Sequence, residues 1–514
     1  MPSDSESIQT SQASECFLLG LAEELLISIL LELGPADLLS CTNVCRVIAE
    51  VIEQTPAVQY KLQLGLSGMV DGPAGVAPLG KRLERLRAYR AASLQCKADV
   101  KVVSMPDCCN LWRLTDCVFA FERRGIVRMV RFASSFTGIT EGDIGHLDCT
   151  KSITDPGFSI CDCVIDRAQD LAILTHVNGN EKPLMFLLSI SQGGAFHPLA
   201  NKPRLEAREA LVAGYQAEEV IETCVLNWKT GQVVWEEGKQ QRYTNDDHLC
   251  CHLLDSSHIV IVDNTQLRIH EVDSERREPC SLTSSSFALE LPPLNGDRSV
   301  CGVRSATQLP PTYHDDMPYF RHDPLATLLA SNLVAYGGHP ERRVLEQKAF
   351  LILIPVSTML AQARAMKDLD TATPAVPDHD IDIVPWKYWS HLGACVLELS
   401  DLSWHNGCQM QTMGSQVMLT PHRLFRHVAE YIFILDAHPL ARALPQPTPA
   451  GSEDSQLWPR VCSENHMWFA DPLPNTLPCR IRPLSLGPRD RKKRDGPEHL
   501  ALSQDCVLGL KYVW

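Results

Sequence analysis

Between Leu21 and Ile52 the apolar positions recur at steps of three and four. Leu21, Leu25, Leu26, Ile29, Leu30 and Leu33 fall on one stripe of a helix, because only a 3.6-residue period brings them to one side. Gly34 ends that helix, and Pro35 opens a second in the first turn, where its missing N–H would be unpaired anyway. Asp37 places negative charge near the positive end of that second helix. A third helix runs to Thr55-Pro56, and Leu38, Cys41, Cys45, Ile48 and Ile52 continue the apolar face. A cassette of about 40 residues cannot build a large core, so part of this face is expected to meet another surface.

A Gly/Pro-rich stretch from Gly65 to Pro78 follows, then a predicted helix from Leu79 to Leu94. Leu79, Leu83, Leu86 and Tyr89 share its apolar face, opposite Lys81, Arg82, Arg85 and Arg87, which read as a solvated charge face. This helix is expected to bridge the cassette and the body. From about Asp99 the period changes to short β-branched and aromatic runs broken by Gly, Asp, Asn and Pro. The clearest is a hairpin: Thr223 to Trp228, a Lys229-Thr230-Gly231 turn, then Gln232 to Trp235, with glycine supplying the positive φ that the turn needs.

Strand ends resembling the one at Trp228 recur near Ile190, Val272, Val356, Leu397 and Asp436. The steps are roughly 40 residues, one of them doubled with a weak mark near His314, which is the spacing of four-stranded propeller blades. A lone antiparallel blade cannot bury both faces, so about seven stacked radially would share a core. The last strand, beginning at Cys506, is expected to pair with Lys101-Val102-Val103 and close the ring. A two-sheet sandwich assembly is the competing architecture. Pro279 to Pro318, Ala363 to Pro377 and Ala443 to Pro459 read as loop insertions.

The first cassette resembles the F-box over about 40 residues. The sub-motifs are Leu21-Ala22, Glu24-Leu25-Leu26, Ile29-Leu30 with Leu33, Asp37-Leu38-Leu39 and Val44-Cys45-Arg46, in family order. It departs from the family in having Ala22 where proline is usual and no tryptophan after Arg46; Tyr60 is the aromatic nearest that role. The resemblance implies docking onto a Skp-type adaptor, and through it a cullin, by Leu21, Ala22, Leu25, Leu26, Ile29, Leu30, Leu33, Pro35, Asp37, Leu38, Leu39, Val44 and Cys45. It further implies a non-catalytic, substrate-recognition subunit of a Skp–cullin–F-box type ubiquitin ligase, with the β-rich body choosing the target protein. A plain helical hairpin capping the next domain is the structural alternative.

The expected organisation is α+β and multidomain. An N-terminal tail (1–14, read as disordered), a small all-α F-box module (15–60) and a helical linker (61–98) precede an all-β propeller of about seven blades (99–514). A net charge of −15 argues against binding phosphate backbones. No apolar run reaches the ~18 residues of a membrane span, and no signal-peptide order is present, which predicts a soluble protein of the cytoplasm or nucleus. The 20 cysteines include no C-x-x-C pair, so reduced thiols are expected rather than disulfides or zinc ligands.

Two acidic-histidine clusters are candidates for metal or acid–base sites: His314-Asp315-Asp316 with His322-Asp323, and Asp378-His379-Asp380 with Asp382. Their spacing matches no zinc or calcium pattern, and neither a phosphate loop nor a nucleophile elbow occurs, so no cofactor is expected. Arg491-Lys492-Lys493-Arg494 is a basic run that suits an exposed loop or a nuclear-import signal, and Trp386, Tyr388, Trp389 and Trp404 suit either inter-blade packing or an interface. Two further function classes stay open: a non-degradative scaffold, and a propeller hydrolase with His314 and Asp380 converging on the channel.

Overall fold

The structure, a computed structural model, describes residues 17–485, 499–502 and 506–512 apart from 74, 95–98, 106–110, 116–117, 135, 154–159, 177–183, 207–219, 222–223, 237–239, 242–249, 274–285, 297, 308–317, 339–344, 373–381, 400–408, 421–430 and 441–458. Among the described residues it is mostly β, with seven α-helices, and its sheets form a propeller-like ring.

Five blades of four or five strands follow one another in chain order. Blade A comprises Trp112–Thr115, Val118–Arg123, Ile126–Arg131 and Gly142–Asp148, and blade B comprises Ile160–Asp166, Leu171–His176, Leu184–Ser189 and Arg204–Glu206. Blade C holds Cys250–Leu253, His258–Val262, Gln266–Glu271 and Ser286–Glu290, with Asp382–Val384 added in parallel at its outer edge. Blade D holds Ser299–Ala306, Leu328–Gly338, Leu345–Pro355, Cys395–Leu399 and Arg460–Val461; blade E holds Gln409–Met413, Gln416–Thr420, Tyr431–Ala437 and Cys479–Ser485. The first strands of A and B, of C and D, and of D and E lie side by side, so they line the inside of the ring.

Strand Leu345–Pro355 shows why the sequence stacks this way. Phe350, Ile352 and Ile354 enter the core shared with blade C, while Ala349, Leu351 and Leu353 enter the one shared with blade E. A two-residue period sends alternate side chains to opposite faces, and here both faces are covered, so the strand from Ala349 onward is an uninterrupted apolar run.

Several expectations are met. The hairpin pairs Val225 with Trp235 and Asn227 with Gln232, Gly231 sits at φ +69°, and the Asn227 side chain accepts hydrogen bonds from the Lys229 and Thr230 amides. The strand Cys506–Tyr512 pairs with Asp99–Met105, Val102 opposite Gly509, and His499–Leu502 completes that three-stranded sheet.

Other expectations need correction. The step from Val356 to Leu397 is not an interval between blades, because Leu345–Pro355 and Cys395–Leu399 are hydrogen-bonded neighbours with Ile352 opposite Val396. Between them runs a helix, Val356–Ala372, in place of the expected loop from Ala363; buried Met359 and Leu360 anchor its first turns. The Pro279–Pro318 stretch contains two blade strands, Ser286–Glu290 and Ser299–Ala306. The tail, the mark at His314 and residues 443–458 of the third expected insertion lie outside the described residues.

The N-terminal helices are α1 (Glu23–Glu32), α2 (Pro35–Cys41), α3 (Arg46–Gln54), α4 (Pro56–Leu66) and α5 (Leu79–Leu94). Helix α4 is not among the expected elements, and it crosses the expected boundary at residue 60. Its Val58, Leu62 and Leu66 complete one core with Leu26, Leu30, Leu38, Ile48 and Ile52. Gly65, expected to begin a Gly/Pro-rich stretch, is instead within α4, where an added Cβ would lie 2.2 Å from that of Pro35. Only glycine permits this approach of α4 to α2.

The module is tied to the ring. The Tyr60 hydroxyl donates to Asp71 (2.7 Å) and to the Tyr319 carbonyl (3.1 Å), and strand Met69–Asp71 pairs with Phe320–His322. Arg82 on α5 binds Asp71 at 2.5 Å with its guanidinium over the Tyr60 ring. Leu83, Leu86 and Tyr89 are buried as expected, the Tyr89 hydroxyl accepts from Gln416 of blade E, and Arg482 donates to the Ser93 carbonyl. Leu440, from the connection between the third and fourth strands of blade E, packs against the module's own core.

Candidate functional site

The helical module carries the densest set of exposed large apolar side chains among the described residues. Phe17, Leu18 and Leu19 stand in a short 3-10 turn before α1, followed by Leu21, Leu25 and Ile29, and then Val44 and Val47 at the start of α3. Leu25 is 56 % exposed and Val44 69 %, values at which an apolar side chain leaves most of its surface in water. Local chemistry presents them. Glu23 and Glu24 occupy the first turn of α1, and Pro35 takes the first position of α2 with Asp37 in the same turn, so acidic charge sits at two helix N-termini.

The thirteen residues expected at an adaptor contact therefore divide. Leu21, Leu25, Ile29 and Val44 face outward, as do Ala22 and Asp37. Leu33, Pro35, Leu39 and Cys45 are half-buried. Leu26, Leu30 and Leu38 lie in the module's own core at 4 %, 2 % and 0 % exposure, so their role is to hold the helices together. Phe17, Leu18, Leu19 and Val47 belong to the exposed face and were missed; Val47 was legible three residues after Val44. Tyr60 is buried against the ring, and its hydroxyl ties the module to the body.

The other candidates disperse. His314 to Asp316 and Asp378 to Asp380 lie outside the described residues, as does the basic run at Arg491. His322 is buried, Asp323 caps a short 3-10 helix by accepting from the Leu325 amide at 2.9 Å, and Asp382 lies exposed on a blade-edge strand. Among the described residues no three His, Cys, Asp or Glu side chains are placed to hold a metal. The described cysteines are free thiols, and burial pushes Cys149 and Cys163 up to about 12, far from the thiolate form that reacts or ligates. Trp386 and Trp389 are buried, their indole N–H groups donating to the Pro472 and Glu290 carbonyls, while Tyr388 is exposed and Trp404 lies outside the described residues.

Two histidines of blade C, His252 and His270, make the ring acid-sensitive, and burial pushes each down to about 4. Burial and the nearby Arg268 guanidinium push His270 down to about 4, against 6.5 for the free side chain. The unfolded chain therefore binds the extra proton first. The stability that neutral His270 contributes is complete above about pH 6.5 and is lost as pH falls toward 4, about 2 kcal/mol of it by pH 5. Thermal unfolding followed at pH 7 and pH 5 should show that loss, and His270→Gln should remove the share that His270 carries while leaving that of His252.

No known protein family matches the chain, and no curated protein does. Among solved structures, Hsv2 of Kluyveromyces lactis is similar at 8 % identity and a TM-score of 0.26, covering 68 % of this chain and 96 % of that one. Hsv2 of K. marxianus gives 9 % identity and a TM-score of 0.23, covering 63 % and 90 %. At these values the likeness carries no argument about function. No helix of the described residues is long and apolar enough to cross a membrane.

Proposed function

We propose that this chain is the substrate-recognition subunit of a Skp–cullin–F-box type ubiquitin ligase. The observation that carries the reading is the split within the apolar stripe of α1: Leu26 and Leu30 seal the module, and Leu25 and Ile29 are left in water. A monomeric protein rarely exposes such a contiguous apolar face without a partner to cover it. The ordered F-box sub-motifs name the Skp-type adaptor as that partner. The ring would bind the target protein, and we read it as seven blades. The paired strands between residues 220 and 241 would be the third, and the sheet formed by Asp99–Met105, His499–Leu502 and Cys506–Tyr512 the last.

On this reading the chain performs no chemistry of its own. It would raise the effective concentration of a target lysine near the ubiquitin-charged enzyme, and such a gain requires the two binding ends to keep a fixed span. The contacts at Tyr60, Tyr89, Ser93 and Leu440 support that requirement, since each joins the N-terminal helices to the ring. The test is co-expression of the tagged chain with a Skp-type adaptor and cullin, followed by affinity purification and mass spectrometry. Recovery of both subunits in fixed ratio supports the reading. Absence of the adaptor overturns it, and target levels that ignore cullin inactivation would favour the scaffold class instead.

A further inference from the structure

The charge around the exposed apolar face is one-sided. From Phe17 to Thr55 the acidic and basic side chains are Glu23, Glu24, Glu32, Asp37, Arg46, Glu50 and Glu53, all exposed, and the only cation, Arg46, is bound to Glu50 at 2.7 Å. Two of the acids oppose the fold that carries them. Glu32 closes α1, and Glu53 stands in the last turn of α3; neither helix has a basic residue in that turn. Helix C-termini already carry partial negative charge, so a carboxylate there destabilises the helix and a lysine would stabilise it. Lys61 of α4 donates to the Leu31 carbonyl and offsets part of that charge for α1. Glu32 lies seven residues after Leu25, which returns it to the same side of α1, in line with Leu25 and Ile29.

We propose that the partner covering Leu21, Leu25, Ile29, Val44 and Val47 presents an apolar groove edged by lysine or arginine side chains that meet Glu32 and Glu53. The proposal rests on the adaptor reading above and states the chemistry of that partner's surface. Isolated, the module holds its acids where they repel the helix ends; a cationic rim relieves that repulsion and adds attraction at long range. Rim charges of this kind act mainly on the rate of encounter, which salt screens, while the apolar groove sets the rate of departure.

The experiment measures association and dissociation rates of the full chain with purified Skp-type adaptor at about 0.05 M and about 0.5 M salt, a range over which screening changes strongly. The unsubstituted chain is compared with Glu32→Lys/Glu53→Lys. Association of the unsubstituted chain is expected to slow about tenfold across that salt range, and the double substitution to slow it about as much at low salt with dissociation unchanged. The same substitution removes the unfavourable charge at two helix ends, so its thermal unfolding temperature should stay level or rise, which separates lost encounter from lost folding. Association that ignores both salt and charge reversal, with the adaptor still bound, overturns this proposal alone. Failure of the unsubstituted chain to bind the adaptor overturns it together with the reading on which it rests.

Discussion

Replacing Leu25 and Ile29 together by aspartate is expected to abolish recovery of the Skp-type adaptor while the chain stays folded. Both side chains are in water in the free protein, at 56 % and 41 % exposure, so two carboxylates there cost the fold little. In a complex the same positions would be desolvated. An unpaired charge in an apolar contact costs several kcal/mol, and central interface anchors commonly contribute about 2 kcal/mol or more each, so affinity should fall more than ~100-fold. Leu26→Asp supplies the contrast. Leu26 is 4 % exposed within the module's core, so that change should unfold the helices and lose the adaptor by a different route. Circular dichroism and co-purification on the same preparations separate the two. A folded double variant that still recovers the adaptor in full would show that this face is not the contact.

Trp389→Ala should be the most damaging single change to the ring. The side chain is fully buried in the core between blades C and D, meets Trp386 edge-on at 4.9 Å and donates its indole N–H to the Glu290 carbonyl. Removing it opens a large cavity and leaves that carbonyl without its donor, a loss of about 3–5 kcal/mol. Its neighbour Tyr388 is 61 % exposed, so Tyr388→Ala should stay within about 0.5 kcal/mol of the parent. Urea unfolding of both variants measures the difference. Equal midpoints would mean that the short helix Trp386–Trp389 rests on the ring without supporting it.

Much of this was legible because period reports geometry directly. The three-and-four spacing of Leu21 to Leu33 located α1, the Lys229-Thr230-Gly231 turn located a hairpin, and Lys101-Val102-Val103 was matched to its distant partner. Period alone could not divide the stripe. Leu25 and Leu26 lie on the same broad side of one helix, and which of them is covered depends on α4, a helix whose apolar residues fall at every second position from Val58 to Leu66, a strand-like period, and whose Gly65 reads as the start of a Gly/Pro-rich stretch. Nor could it tell strand order within a blade from strand order between blades. The strands ending near Val356 and Leu397 look alike in composition because both are buried on two faces, yet they are neighbours in one sheet with a helix inserted between them. Of the candidate site, the exposed α1 residues were found, while the acids at the ends of α1 and α3 acquire meaning only once the helix limits are known.

The pairing of Asp99–Met105 with Cys506–Tyr512 has a consequence for how the protein is made. The earlier strand leaves the ribosome about 400 residues before its mate, an interval of roughly 20–80 s at ordinary elongation rates. Through that time its hydrogen-bonding edge has no native partner, and a nascent β edge in that condition is a template for aggregation. A helper that shields the young edge until Cys506–Tyr512 has emerged would therefore raise the yield of intact protein more than any aid to the helices, which can assemble as soon as they emerge.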